Sequence, residues 1–249
     1  MDGMRTLAVL AAVLVLGGCS ESLSSLEERV DGRSGVDSVE VWENDGDDAV
    51  PFVAAPKHVR VRMEADASAD EVMAVFDAYD DPIEDDELDS VEVVLAGPKQ
   101  ASLSAGEGIL VTRDAVEDLV ANQADDAVVA FRREAHPVSN GVRAELAPTR
   151  FAELTAYADR YRDTDLEIVD VVAGPFVLIR DEINEDPQVT AAREELAHLV
   201  DDRFGLLGAS VSGRGPLELV VARADEVAVR RFVGSRATPA VRRVLVRAS

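Results

Sequence analysis

Hydrophobic and polar residues alternate along several short stretches of the chain, and segments with helical spacing separate these stretches. In residues 58–64, Val59, Val61 and Met63 fall on one side and charged side chains mostly on the other. Such alternation is typical of a strand with one buried and one wet face. Ser68 has capping-box spacing to Glu71, and apolar residues then recur at i, i+3, i+4 and i+7. The pattern therefore predicts a helix directly after this strand.

The elements predicted in this way follow a β-α-β-β-α-β order. One unit spans residues 58–135, a second spans 141–212, and a β-α-β half unit spans 217–249. The tripeptide Ala-Gly-Pro occurs at 96–98 and again at 173–175, in each case at the predicted turn between the second and third strands. The tetrapeptide Ala-Asp-Glu-Val opens a predicted helix at 69–72 and at 224–227. These agreements favour an internal duplication.

This element order resembles the ferredoxin-like split β-α-β fold, in which helices cover one face of an antiparallel sheet. The resemblance implies an α+β chain of tandem ferredoxin-like units. Residues 36–57 are predicted to add a leading strand, with Val39, Val41 and Trp42, and an acidic loop. Because this architecture hosts many unrelated activities, the resemblance implies no function.

The N-terminus carries a second pattern. An apolar run from Leu7 to Leu16 follows a short head that contains Arg5, and it is too short for the roughly 20 residues that span a bilayer. It therefore indicates a secretory signal. The residues that follow resemble the lipobox of bacterial lipoproteins: Leu16, Gly17, Gly18 and Cys19.

The lipobox resemblance implies a lipoprotein signal peptide over residues 1–18 and a lipidated, flexible tether over 19–35. Cys19 would carry a diacylglyceryl anchor, and the chain would lie on the extracytoplasmic face of the cell membrane. An ordinary secreted protein and a buried structural thiol are the alternatives. Cys19 is the single cysteine of the chain, so neither a disulfide framework nor a multi-thiolate metal site is available.

The net charge of the chain restricts the kinds of partner that it can bind. The 249 residues carry 25 basic and 49 acidic side chains, a net charge of −24, which excludes non-specific binding to nucleic acid. Their hydrophobic content of 47% is enough for a packed core. Arginine outnumbers lysine 23 to 2, which fits either an actinobacterial type of genome or adaptation to salt.

Motifs for catalysis or metal binding are incomplete. Glu195 and His198 have the Glu-x-x-His spacing of helical metal sites, but that motif occurs without its second copy. Ser210 follows Gly208 as in a nucleophile elbow, yet Ser212 stands where that motif needs glycine. We therefore predict no catalytic residue, no metal, no cofactor and no enzymatic activity.

The C-terminal end has the opposite charge to the rest of the chain. After Glu226 there is no acidic residue, and the basic residues there form a candidate interaction surface: Arg230, Arg231, Arg236, Arg242, Arg243 and Arg247. These side chains either pair with acids of neighbouring units or contact an acidic partner.

Together, these observations favour a non-catalytic lipoprotein that binds an envelope protein or supports an envelope assembly. A solute- or cation-binding lipoprotein that uses its acidic loops is the alternative. A hydrolase with unrecognised carboxylates is a third hypothesis.

Overall fold

The computed structural model describes residues 22–43, 55–84, 88–106, 111–136, 139–236, 238–241 and 243–249. The strands within these ranges form one sheet: β1 Val36–Glu43, β2 Lys57–Met63, β3 Ser90–Leu95, β4 Ser102–Gly106, β5 Val128–His136, β6 Ser139–Leu146, β7 Ile168–Ala173, β8 Phe176–Asp181, β9 Gly208–Val211, β10 Leu217–Val221 and β11 Val244–Ala248. The helices are α1 Leu23–Glu28, α2 Ala69–Asp77, α3 Asp80–Glu84, α4 Arg113–Ala124, α5 Phe151–Ala158, α6 Pro187–Phe204 and α7 Glu226–Gly234. The predicted α+β class and the leading strand β1 are confirmed.

The strands lie in the sheet in the same order as in the chain. β1 pairs antiparallel with β2, β2 pairs parallel with β3, and this alternation continues to β11. Each parallel pair is joined through a helix, whereas the other neighbours are antiparallel.

The predicted ferredoxin-like strand order is therefore wrong. In a split β-α-β unit a third strand lies between the two strands that flank the helix. Here Val61 of β2 is paired directly with Val93 of β3, so the space for a third strand is absent from this unit. The periodicity of hydrophobic residues predicts strands and helices, but it carries no information on which strands pair with each other in the sheet.

One face of the sheet carries the hydrophobic core. The inward row of Val61, Val93 and Leu103 is fully buried, and equivalent rows continue across the sheet to Val246 of β11. Every described helix contributes side chains to this same core. We call this side the covered face and the opposite side the uncovered face.

Local signals behave as the sequence predicts. The Ser68 and Glu71 side chains form a reciprocal capping box at the start of α2. Gly97 and Gly174 adopt φ values of +118° and +56° in the β3–β4 and β7–β8 turns. Both values lie in the region that glycine adopts without steric cost, which explains the recurrence of Gly-Pro at these two turns.

The predicted tether over residues 19–35 is wrong where the structure describes it. Leu26 in α1 and Val30 after it are fully buried in the core, because their spacing places both on one side of a helical turn. The Tyr79 hydroxyl donates a 2.8 Å hydrogen bond to the Leu26 carbonyl, and the Arg29 guanidinium donates to the Ala78 carbonyl. The lipobox residues Leu16, Gly17, Gly18 and Cys19 lie outside the described residues. Within those residues, none of the helices has the length and apolar character needed to cross a membrane.

Candidate functional site

The uncovered face is charged on one half of the sheet and mainly apolar on the other half. Its charged half lies on β2 to β6 and carries Arg60, Arg62, Glu92, Arg132, Glu134, Arg143 and Glu145. Its other half lies on β7 to β10 and carries Ile168, Val172, Val177, Ile179 and Val220, all partly exposed. We call it the apolar half, although Asp170, Ser210 and Glu218 lie on the same face of these strands. Asp170 lies at the boundary, where its carboxylate contacts Arg143.

A depression of about 400 Å³ lies in the charged half, and we call it the arginine trough. Arg60 and Arg62 of β2 form one wall, and Arg132 and Arg143 of β5 and β6 form the other. The short side chains Val94 and Ser102 form the floor between the walls. The strand register aligns these positions in a single cross-strand row, in the order Arg62, Val94, Ser102, Arg132 and Arg143.

Three of the four trough arginines have a carboxylate partner. The Arg60 guanidinium lies 2.8 Å from the Glu92 carboxylate, and Arg132 lies 2.9 Å from Glu134. Arg143 lies 2.9 Å from Asp170. Arg62 is exposed and makes no ion pair or hydrogen bond with the part of the chain that the structure describes.

The trough ends at the β3–β4 turn, where Lys99 and Gln100 line it. The Lys99 ammonium donates hydrogen bonds of 2.8 and 2.5 Å to the carbonyl oxygens of Gln123 and Asp125. Lys99 therefore connects this turn to the C-terminal end of α4, and it adds a fifth positive charge to the lining.

Two histidine–serine pairs lie along the same face. His58 Nδ1 lies 2.8 Å from Ser90 Oγ, and the His58 ring packs against Trp42. His136 Nε2 lies 3.3 Å from Ser104 Oγ, and burial lowers the pKa of His136. No carboxylate of the described residues contacts His136 Nδ1, so the pair lacks the third group of a hydrolytic triad.

The apolar half is unusual for a strand pair with one open side. Val172 of β7 and Val177 of β8 are directly opposite each other, and both neighbouring positions on each strand are apolar as well. Strands that are apolar on both faces are typical of sheets buried on both faces. Here one of those faces has no described helix over it.

A buried polar cluster lies on the covered side between α4 and α5. The Tyr157 hydroxyl donates a 2.6 Å hydrogen bond to Asn122 Oδ1, and the Tyr161 hydroxyl donates a 3.0 Å bond to Asp118. Arg133 of β5 also pairs with Asp118, at 3.1 Å. Burial raises the pKa of Tyr161 to about 12 and raises that of Tyr157 further. Both hydroxyls are therefore neutral hydrogen-bonding groups, and the cluster joins two helices.

The predicted C-terminal arginine surface is divided among several elements. Arg230 of α7 pairs with Glu226 at 2.8 Å and donates to the Val246 carbonyl, and Arg247 of β11 pairs with Glu218 at 3.1 Å. The Arg236 guanidinium lies 3.8 Å from the centre of the Phe232 ring. Arg231 lies in α7, Arg243 precedes β11, and Arg242 lies outside the described residues.

The arginine trough is not predicted by the sequence pattern. Its arginines lie on strands that are far apart in the chain, and their adjacency follows only from the strand order. The signal that was present is the repeated arginine at outward strand positions, at 60, 62 and 143.

The remaining motifs do not form a site. His198 packs against Phe151 with ring centres 4.9 Å apart, and Ser210 lies within β9. Among the residues that the structure describes, no group of three or more His, Cys, Asp or Glu side chains is arranged to hold a metal ion. No protein-family model, curated protein or solved structure matches the chain.

Proposed function

We propose that this chain is a non-catalytic, lipid-anchored protein of the extracytoplasmic membrane face, and that it binds an envelope protein through its uncovered sheet face. The apolar half of that face is the observation that carries the proposal. Contiguous apolar surface rimmed by polar residues is typical of interaction sites in soluble domains.

The physical argument rests on Val172, Val177 and Ile179. These stiff β-branched side chains lie on adjacent strands of a fixed sheet, so little side-chain entropy is lost when a partner covers them. Removing apolar surface from water contributes about 25 cal/mol for each Å² that a partner buries. The charged half, beside this patch, supplies the polar rim and fixes the orientation of the partner.

Anchorage is supported by the lipobox resemblance at Leu16 to Cys19. Two or three acyl chains give lasting membrane attachment where a single chain does not. Leu23 begins α1 four residues after Cys19, so extended chain places α1 within about 14 Å of the acylated residue. The packed body would therefore lie close to the membrane.

Membrane fractionation tests the anchor. We expect the wild-type chain to remain with membranes after washes with salt and carbonate, and the Cys19→Ser chain to be released or left uncleaved. Attachment of acyl chains to the Cys19→Ser variant, or a wild-type chain free in solution, would contradict the anchor.

Site-specific photocrosslinking in the membrane-anchored chain tests the binding face. A crosslinker at Ile179 is expected to capture a defined envelope protein, and one at Glu195 on the exposed side of α6 serves as the control. The additional change Val177→Asp should abolish the Ile179 crosslink while the melting temperature changes little. Equal capture from both positions, or capture of a second copy of the chain alone, would refute the proposed partner.

The second candidate, a solute-binding lipoprotein, is favoured by the arginine trough. Its volume of about 400 Å³ falls in the roughly 300–1,000 Å³ range of small-molecule sites.

A further inference from the structure

The arginine trough holds cations on two walls that face each other across a low floor. Adjacent strands are about 4.8 Å apart, so the three steps from β2 to β5 separate Arg62 from Arg132 by about 14 Å between backbones. The intervening row positions are Val94 and Ser102, whose side chains are short. Long arginine side chains from both walls can therefore reach one group held above the floor.

The charges of the trough balance in number but are unevenly distributed. Five cationic side chains line it: Arg60, Arg62, Lys99, Arg132 and Arg143. Five carboxylates line it or pair with these cations, namely Glu40, Glu92, Glu134, Glu145 and Asp170. Arg60 has two of these partners, whereas Arg62 is the trough arginine without a described partner, in a chain whose net charge is −24.

The register also places two like charges next to each other. Arg132 and Arg143 are direct cross-strand neighbours on β5 and β6. Like charges in this position are destabilising. Glu134 pairs with Arg132 from the same strand, Asp170 pairs with Arg143 from the next position of the same row, and an anion above Arg132 and Arg143 would reduce the repulsion that remains between them.

Ser102 supplies a hydroxyl on the floor of the trough. The residue is only 6% exposed, and its hydroxyl makes no hydrogen bond with any described residue. The hydroxyl oxygen keeps contact with solvent, so a ligand in the trough can reach it. Ser102 lies on the trough floor between Arg62 and Arg132, so the hydroxyl is placed to donate to a group that the two arginines hold.

We propose that the arginine trough binds the phosphoryl group of a small, soluble, multiply charged compound. A terminal phosphoryl group offers three oxygens, which can accept from Arg62, Ser102 and Arg132 together, whereas one carboxylate offers two. Guanidinium forks match phosphate oxygens in geometry and charge. The inference rests on the proposed function only in taking the uncovered face as the binding face, and it gives the solute-binding candidate a chemical class.

Calorimetry on the full acylated chain in detergent, with inorganic pyrophosphate as the probe, tests this proposal. We expect one molecule to bind per chain, with an affinity that falls as salt is added. Arg62→Ala should weaken binding at least tenfold and Ser102→Ala about threefold. Arg247→Ala is the matched control, because Arg247 is an exposed arginine of the same face outside the trough.

The outcomes separate this proposal from the others. Absence of pyrophosphate binding, or an equal loss in Arg62→Ala and Arg247→Ala, would overturn it. If a long polyphosphate bound and pyrophosphate did not, the ligand would be an anionic polymer, and the proposal of a small soluble compound would be overturned. Tighter binding of citrate than of pyrophosphate would overturn the phosphoryl class. Val177→Asp should leave pyrophosphate binding intact, so a failure of the protein-partner proposal is distinguishable from a failure of this one.

Discussion

The two faces of the sheet are built from alternate residues of the same strands, yet they have different properties. On β2, Met63 is fully buried against the helices, and the preceding Arg62 is exposed and without a described partner. The covered face is mainly apolar from β1 to β11, with buried Arg133 and partly buried Arg180 as exceptions, whereas the uncovered face is charged on one half and mainly apolar on the other. Stability is therefore concentrated on the covered face, and the residues of the uncovered face are less constrained by packing.

Polar groups do occur on the covered side, and several of them have charged partners there, although Arg133 Nε is buried without a hydrogen-bond partner. Arg180 of β8 lies 2.8 Å from the Glu194 carboxylate and also contacts Asp159. Burial acts to lower the pKa of Arg180, but these carboxylate contacts outweigh it and raise that pKa. By contrast, Arg62 is tolerated without a partner because water solvates it.

Substitution of adjacent residues on β2 gives the largest expected difference between the faces. Met63→Ala should lower the free energy of unfolding by about 2–5 kcal/mol, because it removes a fully buried side chain and leaves a cavity. Arg62→Ala should change it by no more than about 0.5 kcal/mol. Urea unfolding of the two variants measures both values, and similar losses would contradict the assignment of the faces.

A smaller effect is expected where a polar group lies on the covered side. Tyr157→Phe removes the hydroxyl that bonds to Asn122 Oδ1, and Asn122 is only 2% exposed. An unsatisfied buried acceptor costs about 1–3 kcal/mol, so unfolding should become easier by that amount. Val227→Ala, at a position 69% exposed, is the control and should leave the denaturant midpoint nearly unchanged. An unchanged midpoint for Tyr157→Phe would mean that the cluster does not stabilise the packing of α4 and α5.

The sequence predicts the covered face better than the uncovered one. Alternation at Val59, Val61 and Met63 identifies a core row without knowledge of the neighbouring strands. The trough requires that knowledge, because Arg62 and Arg132 approach each other only when β2 to β5 lie side by side. Val172 and Val177 were a usable signal of an exposed apolar surface. They place apolar residues on both sides of the strand pair, and helices can cover only one of those sides. The predicted tether is wrong because Leu26 and Val30 have helical spacing, which places both of them on one buried side.

Charge reversal at the far edge of the uncovered face should have a still smaller effect. Arg247 and Glu218 lie 3.1 Å apart and are both solvent-accessible, and such pairs contribute about 0–1 kcal/mol. Arg247→Glu replaces this attraction with repulsion and should lower the melting temperature slightly, with the difference reduced in high salt. The double variant Arg247→Glu and Glu218→Arg restores opposite charges and should recover the loss. A salt-independent loss would indicate that Arg247 acts through packing.

The smallest expected effect is confined to a narrow pH range and concerns His136, at the end of β5 on the uncovered face. Burial lowers the pKa of His136, Arg132 acts in the same direction, and Glu134 opposes them. The backbone holds this ring closely, since a Cβ at Gly106 would lie 2.0 Å from His136 Nδ1. In the unfolded chain the histidine pKa is about 6.5, so on acidification the unfolded state takes up a proton before the folded state does. The contribution of His136 to stability is therefore complete above about pH 6.5 and is lost as the pH falls towards the lower folded-state pKa.

His136→Gln removes this titration, and its unfolding free energy should fall less than that of the wild type between pH 7.5 and 5.5. Urea unfolding at both pH values measures the difference, and an equal fall in the two proteins would show that the folded environment does not disfavour the charged ring.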